Sequence, residues 1–255
     1  MKMYGIYTYV HKGIRHGAGV CEDTALAGGT LLREGYAETM SGTFFQAGVA
    51  DGMGGMPAGD LASGEVMRQL SRMDPSRMTM EDYSAALQRI NSRIREMGES
   101  RADRRGMGST LALLCGCRDG MFVAWLGNSR LYKIFGAGMV ALTVDHNVGR
   151  EEARGAHFAQ ADTEESFLTA YMGMPGEAFP EKAQMRRLST AEEDVFLLTT
   201  DGLHDWLSYE ELLETIQDVP EPDRLLPLLA ERAEEAGSED DISIVLIRRE
   251  ECVEE

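Results

Sequence analysis

The sequence predicts an α+β fold in which two antiparallel β-sheets form a central β-sandwich flanked by pairs of α-helices. Three observations predict it. Short runs rich in β-branched and aromatic residues recur along the chain, bounded by Gly or Asp. Several follow one another across connections too tight for a crossover helix, which favours antiparallel pairing. Longer stretches with apolar residues at helical spacing fall in pairs between these strand groups.

In chain order, strands are expected at residues 4–9, 43–50, 110–117, 121–126, 131–135, 184–188, 195–199 and 242–247. Cys117-Arg-Asp-Gly120 joins two of them and is a hairpin signal, because the turn needs a residue that accepts positive φ. A helix over 60–72 follows Pro57 and carries Leu61, Val66, Met67 and Leu70 on one side. The helix over 79–97 opens on Thr79 with Asp82 three positions later and lines up Tyr83, Leu87, Ile90 and Ile94. Ser208 followed by Glu210 and Glu211 starts a helix running to Gln217, and a last helix over 223–236 stops at Gly237. The polar stretch 147–169 fits neither period and reads as a loop-plus-helix insertion over one edge.

The chain has 255 residues, 43% hydrophobic and 27% charged, a globular composition expected to form one domain over 1–255. Its 25 basic and 43 acidic side chains give a net charge of −18, which argues against nucleic acid or an anionic membrane as a partner. A phosphorylated substrate stays open, since a bound cation reverses the field locally. The four cysteines are too scattered for a disulfide framework; Cys115 and Cys117 share one strand face and read as buried thiols. No stretch approaches the ~20 apolar residues that span a bilayer, and no charged-then-apolar leader opens the chain, so a cytoplasmic monomer is expected.

The informative feature is where the acids stand. Asp51 ends an apolar run and precedes Gly-Met-Gly-Gly; Asp201 ends another and precedes Gly202; Asp240-Asp241 precede a third; Glu22-Asp23 close a Gly-containing loop. Each alone reads as an ordinary turn acid. Four such sites together can converge on hard cations, since Mg²⁺ and Mn²⁺ prefer oxygen ligands.

The segments around these acids carry a family resemblance. Asp51-Gly-Met-Gly-Gly-Met-Pro-Ala-Gly-Asp-Leu-Ala-Ser63 resembles the Asp-Gly-Met-Gly-Gly signature of bacterial metal-dependent serine/threonine phosphatases of the type 2C (PPM) family. Gly106-Met-Gly-Ser-Thr110, Leu126-Gly-Asn-Ser-Arg130, Leu142-Thr-Val-Asp-His146, Thr199-Thr-Asp-Gly-Leu-His-Asp205 and Asp240-Asp-Ile-Ser-Ile-Val245 are similar to further family segments, in family order over residues 22–245.

The resemblance implies a two-sheet sandwich with a binuclear Mn²⁺ or Mg²⁺ site at its mouth. By that resemblance Asp51 lies between two ions, Glu22 and the Gly52 carbonyl belong to one, Asp201 and Asp240 to the other, and Asp23 binds a metal-held water. A water bridging two such ions loses its proton near neutral pH and attacks phosphorus in line. The implied substrates are phosphoserine and phosphothreonine proteins made by serine/threonine kinases, with 147–169 in the place of a variable flap.

Four positions depart from the pattern. Ala18 replaces an arginine that holds substrate phosphate, which leaves Arg15, with Lys12 and His16 in the same loop, as the phosphate-binding candidate. Asn128 replaces an Asp that helps hold a third ion, so a third site is expected to be weak or absent. Met56 stands where relatives often carry His, and Asp241 adds a charge in place of Asn. His146 and His204 read as structural, and neither has a zinc-ligand spacing. Two other readings compete with the phosphatase: an impaired phosphatase-like module that binds phosphoproteins or regulates a kinase, and a hydrolase of small phosphate esters.

Overall fold

The computed structural model describes residues 3–15, 19–53, 58–147, 168–176, 179, 183–189 and 195–250. The first strands are β1 (Met3–His11), β2 (Asp23–Ala27), β3 (Thr30–Leu32), β4 (Gly35–Ser41) and β5 (Phe45–Asp51), followed by helices α1 (Gly59–Ser71) and α2 (Met80–Glu99). After a short 3₁₀ turn come β6 (Leu111–Cys117), β7 (Gly120–Leu126), β8 (Arg130–Phe135), β9 (Gly138–Ala141), β10 (Gln184–Leu188) and β11 (Val195–Thr199). The chain then runs through α3 (Asp201–His204), α4 (Tyr209–Asp218) and α5 (Pro222–Glu235) into β12 (Ile242–Glu250).

One sheet has the order β4-β1-β12-β11-β8-β9 and the other β10-β7-β6-β5-β2-β3. Every pairing between these strands is antiparallel. Side-chain alternation divides the core into three layers. Ile6, Val10, Ala112, Leu114, Phe196, Leu198, Val245 and Ile247 point between the sheets. The opposite faces bury Leu111, Leu113 and Cys115 under α1 and α2, and Leu197, Ile244 and Leu246 under α3 to α5. Cys115 and Cys117 share the helix-facing side as expected, and both are buried free thiols.

Local chemistry sets the helix ends. Thr79 accepts the Asp82 N–H at 3.2 Å while Asp82 accepts the Thr79 N–H at 2.8 Å, a reciprocal capping box opening α2. Ser208 and Glu211 form the same box at α4, and Gly237, at φ 113°, follows the end of α5. None of the described helices is long and apolar enough to cross a membrane.

Four strands lie where none was expected: β2, β3, β4 and β9. Their composition is poor in β-branched and aromatic residues. Asp23-Thr-Ala-Leu-Ala27 is a strand because β5 and β3 pair with it on either side and all five residues are buried. The expected insertion and flap at 147–169 falls almost wholly outside the described residues; Asn147 and Leu168 at its ends form an isolated bridge.

Candidate metal centre

Antiparallel pairing carries the acids to one end of the sandwich. Asp51 is the last residue of β5 and stands opposite Asp23, the first of β2, so two carboxylates distant in sequence become ladder neighbours. Asp51 is fixed through its backbone, its N–H donating to Thr110 Oγ1 at 2.9 Å and its carbonyl accepting the Thr110 N–H at 2.8 Å. Gly52 donates its N–H to the Glu22 carbonyl at 3.1 Å, and the Ser63 hydroxyl donates to that carbonyl at 2.5 Å. A Cβ on Gly52 would lie 2.3 Å from the carbonyl carbon of Gly59, so only glycine lets α1 start against this turn.

The other sheet supplies the remaining acids. β11 stops at Thr199, Thr200 is the N-cap, and Asp201 is the first residue of the one-turn helix α3 rather than the end of the strand. Thr200 Oγ1 donates to Asp23 Oδ2 at 2.8 Å and accepts the Ser243 N–H at 2.9 Å, tying both sheets to one carboxylate. Asn128 Nδ2 donates to Asp201 Oδ2 at 2.8 Å. Asp240 lies just before β12; its Oδ1 accepts the Asp241 N–H at 3.0 Å, and its Oδ2 pairs with the Arg15 guanidinium.

The charges in this mouth are poorly compensated. Burial pushes the Asp23 carboxyl well above the usual carboxylate range, with Asp241 and Asp201 adding repulsion that the Thr200 hydroxyl offsets in part. Burial also raises Asp51, and the charges of Asp201, Asp23 and Asp240 raise it further. Asp201 rises for the same reasons, burial first and Asp240 next. Asp51 and Asp201 act on each other directly, and at full burial it is costly for both to ionise without a counter-cation. Arg15 reaches in: it is held above its ordinary value by Asp240, with Asp201 and Asp51 contributing.

Two buried oxygens, Asp23 Oδ1 and Asp201 Oδ1, have no hydrogen-bond partner among the described residues. An orphaned buried carboxylate oxygen is costly unless a cation or water meets it. No three His, Cys, Asp or Glu side chains among the described residues are already gathered round one point. The all-oxygen donor set, the orphaned oxygens and the Gly52 cradle fit hard divalent cations.

A family model described as "Protein phosphatase 2C" matches residues 28–244. This chain belongs to that family. It is 28% identical over 212 residues to a protein named serine/threonine phosphatase stp from Listeria innocua, covering 79% of this chain and 83% of the relative. It is also 28% identical over 214 residues to a protein phosphatase named PhpP from Streptococcus pneumoniae, covering 80% and 85%. Among solved structures, the catalytic domain of the serine/threonine protein phosphatase PstP in complex with two manganese ions superposes with a TM-score of 0.75. The identity there is 25%, over 98% of this chain and 100% of that one.

Of the predicted site residues, Asp23 and Asp51 are ladder neighbours, Asp201 and Asp240 act on Asp51 electrostatically, Arg15 pairs with Asp240, and Glu22 lies against the Gly52 and Gly59 turn. His16, Ala18 and Met56 lie outside the described residues. Asp241 does something its sequence position did not disclose. It accepts the Gly13 N–H at 2.9 Å and the Glu22 N–H at 2.6 Å, clamping the Arg15 loop and the Glu22 backbone to the start of β12. Thr110 and Thr200 are positioning hydroxyls that no motif singled out; their signal is a Thr at the strand end nearest each acid.

Arg130 and Asp145, from two of the matched segments, hold each other in a forked pair at 2.7 and 3.0 Å instead of lining the mouth. His146 is structural, its Nδ1 accepting the Gly127 N–H at 3.2 Å. His204 is buried with Nδ1 against Thr199 Oγ1 at 2.7 Å.

Proposed function

We propose that this chain removes phosphate from phosphoserine and phosphothreonine in proteins by means of two divalent cations, Mn²⁺ or Mg²⁺, held at the mouth of the sandwich. As a member of the 2C family it is a serine/threonine protein phosphatase. The observation that carries the two-cation reading is the convergence of Asp23, Asp51 and Asp201 with orphaned oxygens and raised proton affinities. Such a cluster is stable only when positive charge enters it.

In this reading Asp51, Glu22 and the Gly52 carbonyl hold one cation, and Asp51, Asp201 and Asp240 the other. Bound there, the pair supplies Lewis acidity, making a nucleophile of water near neutral pH and offsetting charge on the phosphoryl oxygens. Asp23, whose Oδ1 has no hydrogen-bond partner among the described residues, would accept a hydrogen bond from a metal-held water. Arg15 holds the substrate phosphate through charge-assisted hydrogen bonds, exchanging its contact with Asp240 for the phosphoryl oxygens. Asn128 orients Asp201 by a neutral hydrogen bond, which supports two ions and not a third. The chain acts as one catalytic domain, with 147–169 as a flap over the substrate. It works in the cytoplasm, as a monomer, on proteins phosphorylated by serine/threonine kinases.

The binding-module reading predicts phosphopeptide capture without turnover, and the small-ester reading predicts no preference for peptides. Phosphate release from a phosphothreonine peptide, measured with Mn²⁺, with excess chelator and with Asp201→Asn, tests all three. Release that needs Mn²⁺ and is lost in the variant supports the phosphatase. Binding of Mn²⁺ by calorimetry without release overturns it in favour of the module.

A further inference from the structure

A groove of about 650 Å³ lies beside the mouth, between the C-terminal end of α2, the turn at 102–106 and the segment 171–176. Ile94, Met107 and Tyr171 form its floor, and Arg95 and Arg105 stand on its rim. The rim is out of character for the chain. Residues 89–105 hold six arginines and three acids in a protein of net charge −18. The four other arginines of that run are engaged elsewhere or lie outside the groove: Arg93 pairs with buried Glu65, Arg101 with Asp103, and Arg89 and Arg104 do not line it. Arg105 is exposed, and among the described residues Arg95 has a 3.8 Å contact with the exposed Glu99, an acid that also lines the groove and leaves it with two cations against one anion.

The groove is joined to the catalytic turn by backbone. Met53, next to Gly52, donates its N–H to the Gly108 carbonyl at 3.1 Å, and Gly52 and Met172 both bridge to Ser109. Gly108 has no side chain because the Tyr171 ring and Met53 Sδ would sit 2.8 and 2.9 Å from its Cβ. Floor residue Met107 is therefore two residues along the chain from the partner of Gly52, about 7 Å at ~3.3 Å per residue. At ~3.3 Å per residue, that separation matches about two residues of an extended peptide.

We propose that the groove is a substrate-specificity site: Arg95 and Arg105 select phosphoproteins that carry an acidic side chain two to four residues from the phosphoserine or phosphothreonine. The inference rests on the phosphatase reading above. The overall negative charge repels acidic substrates, so a local cationic rim beside the mouth decides which of them dock. The apolar floor takes the methylenes of the same side chain, and the arginines pair with its carboxylate.

The test compares kcat/KM, with Mn²⁺, for phosphothreonine peptides bearing Glu or Ala at positions two to four from the phosphoresidue. The measurement is repeated for Arg95→Ala/Arg105→Ala, at low and high salt. Exposed ion pairs of this kind support a three- to tenfold advantage for the acidic peptide, which is about what two such contacts supply. That advantage is expected to vanish in the double variant and in 0.5 M salt, while turnover of p-nitrophenyl phosphate, too small to reach the groove, stays within about twofold. Equal turnover of both peptides by the unmodified protein overturns the groove and leaves the phosphatase intact. So does an acidic advantage that survives both substitutions. Turnover of neither peptide overturns both readings. Arg105→Ala alone, at an exposed position, checks that any change does not come from misfolding.

Discussion

Replacing Asp201 by Asn is expected to abolish activity and at the same time to stabilise the cation-free protein. Asp201 Oδ1 has no hydrogen-bond partner among the described residues, and Asp51 and Asp240 repel its charge. Two full charges about 4 Å apart interact by roughly 4 kcal/mol at an effective dielectric of about 20. The raised proton affinity of Asp51 and the pairing of Arg15 with Asp240 both reduce this, so the net relief is on the order of 1–3 kcal/mol. The new amide keeps an oxygen to accept from Asn128 Nδ2 and gains a donor for Asp51. For a chain of this size ~1 kcal/mol moves Tm by about 2–4 °C, which gives a rise of about 2–12 °C in the presence of chelator. Calorimetric melting with and without Mn²⁺, for both proteins, reads the effect. Mn²⁺ should raise the Tm of the unmodified protein and leave that of the variant nearly still. A lower chelated Tm in D201N, or an equal rise on adding Mn²⁺ to both, would refute the electrostatic reasoning.

Other predictions follow from the same geometry. Asp23, Asp51 and Asp201 all bind protons more tightly folded than unfolded, so in chelator stability is full at acid pH. It is then lost as pH rises from the ordinary carboxylate value of 3.8 through their raised range. Tm in chelator should therefore fall as pH rises above about 4, with a shallower slope in D201N. Arg15→Ala is expected to raise KM for a phosphopeptide about 5- to 20-fold with a smaller change in kcat, since a charge-assisted contact is lost at an exposed position. An unchanged KM in steady-state assays would remove Arg15 from the site. Thr79→Ala breaks the box at the start of α2, far from the mouth. It should cost about 1 kcal/mol in urea unfolding and leave kcat/KM per folded molecule unaltered.

The sequence carried the local signals well. Thr79 with Asp82 and Ser208 with Glu211 fix their helix starts because the partners are three residues apart, and such bonds form within a single turn. Apolar strands such as 111–117 were legible because their residues are buried on both faces whatever surrounds them. Strands β2 and β4 were not. Their Ala, Gly, Asp and Glu residues have little preference for extended backbone, and only the ladders with β5 and β1 hold them there.

The site divides in the same way. Its ligand types, an acid at each of several strand ends with glycine beside two of them, stand in the sequence because oxygen donors and close backbone approach are requirements of residue identity. What the residues do to one another was decided by the tertiary structure. Asp23 meets Asp51 because β2 runs antiparallel to β5, and Arg15 meets Asp240 because Asp241 clamps its loop from 226 residues away, through the Gly13 and Glu22 N–H groups. The raised proton affinities follow from that convergence, since burial and like charge act through distance in space. Identity fixes which groups are available; only the packing of two sheets fixes how much they cost each other, and so how strongly they call for a cation.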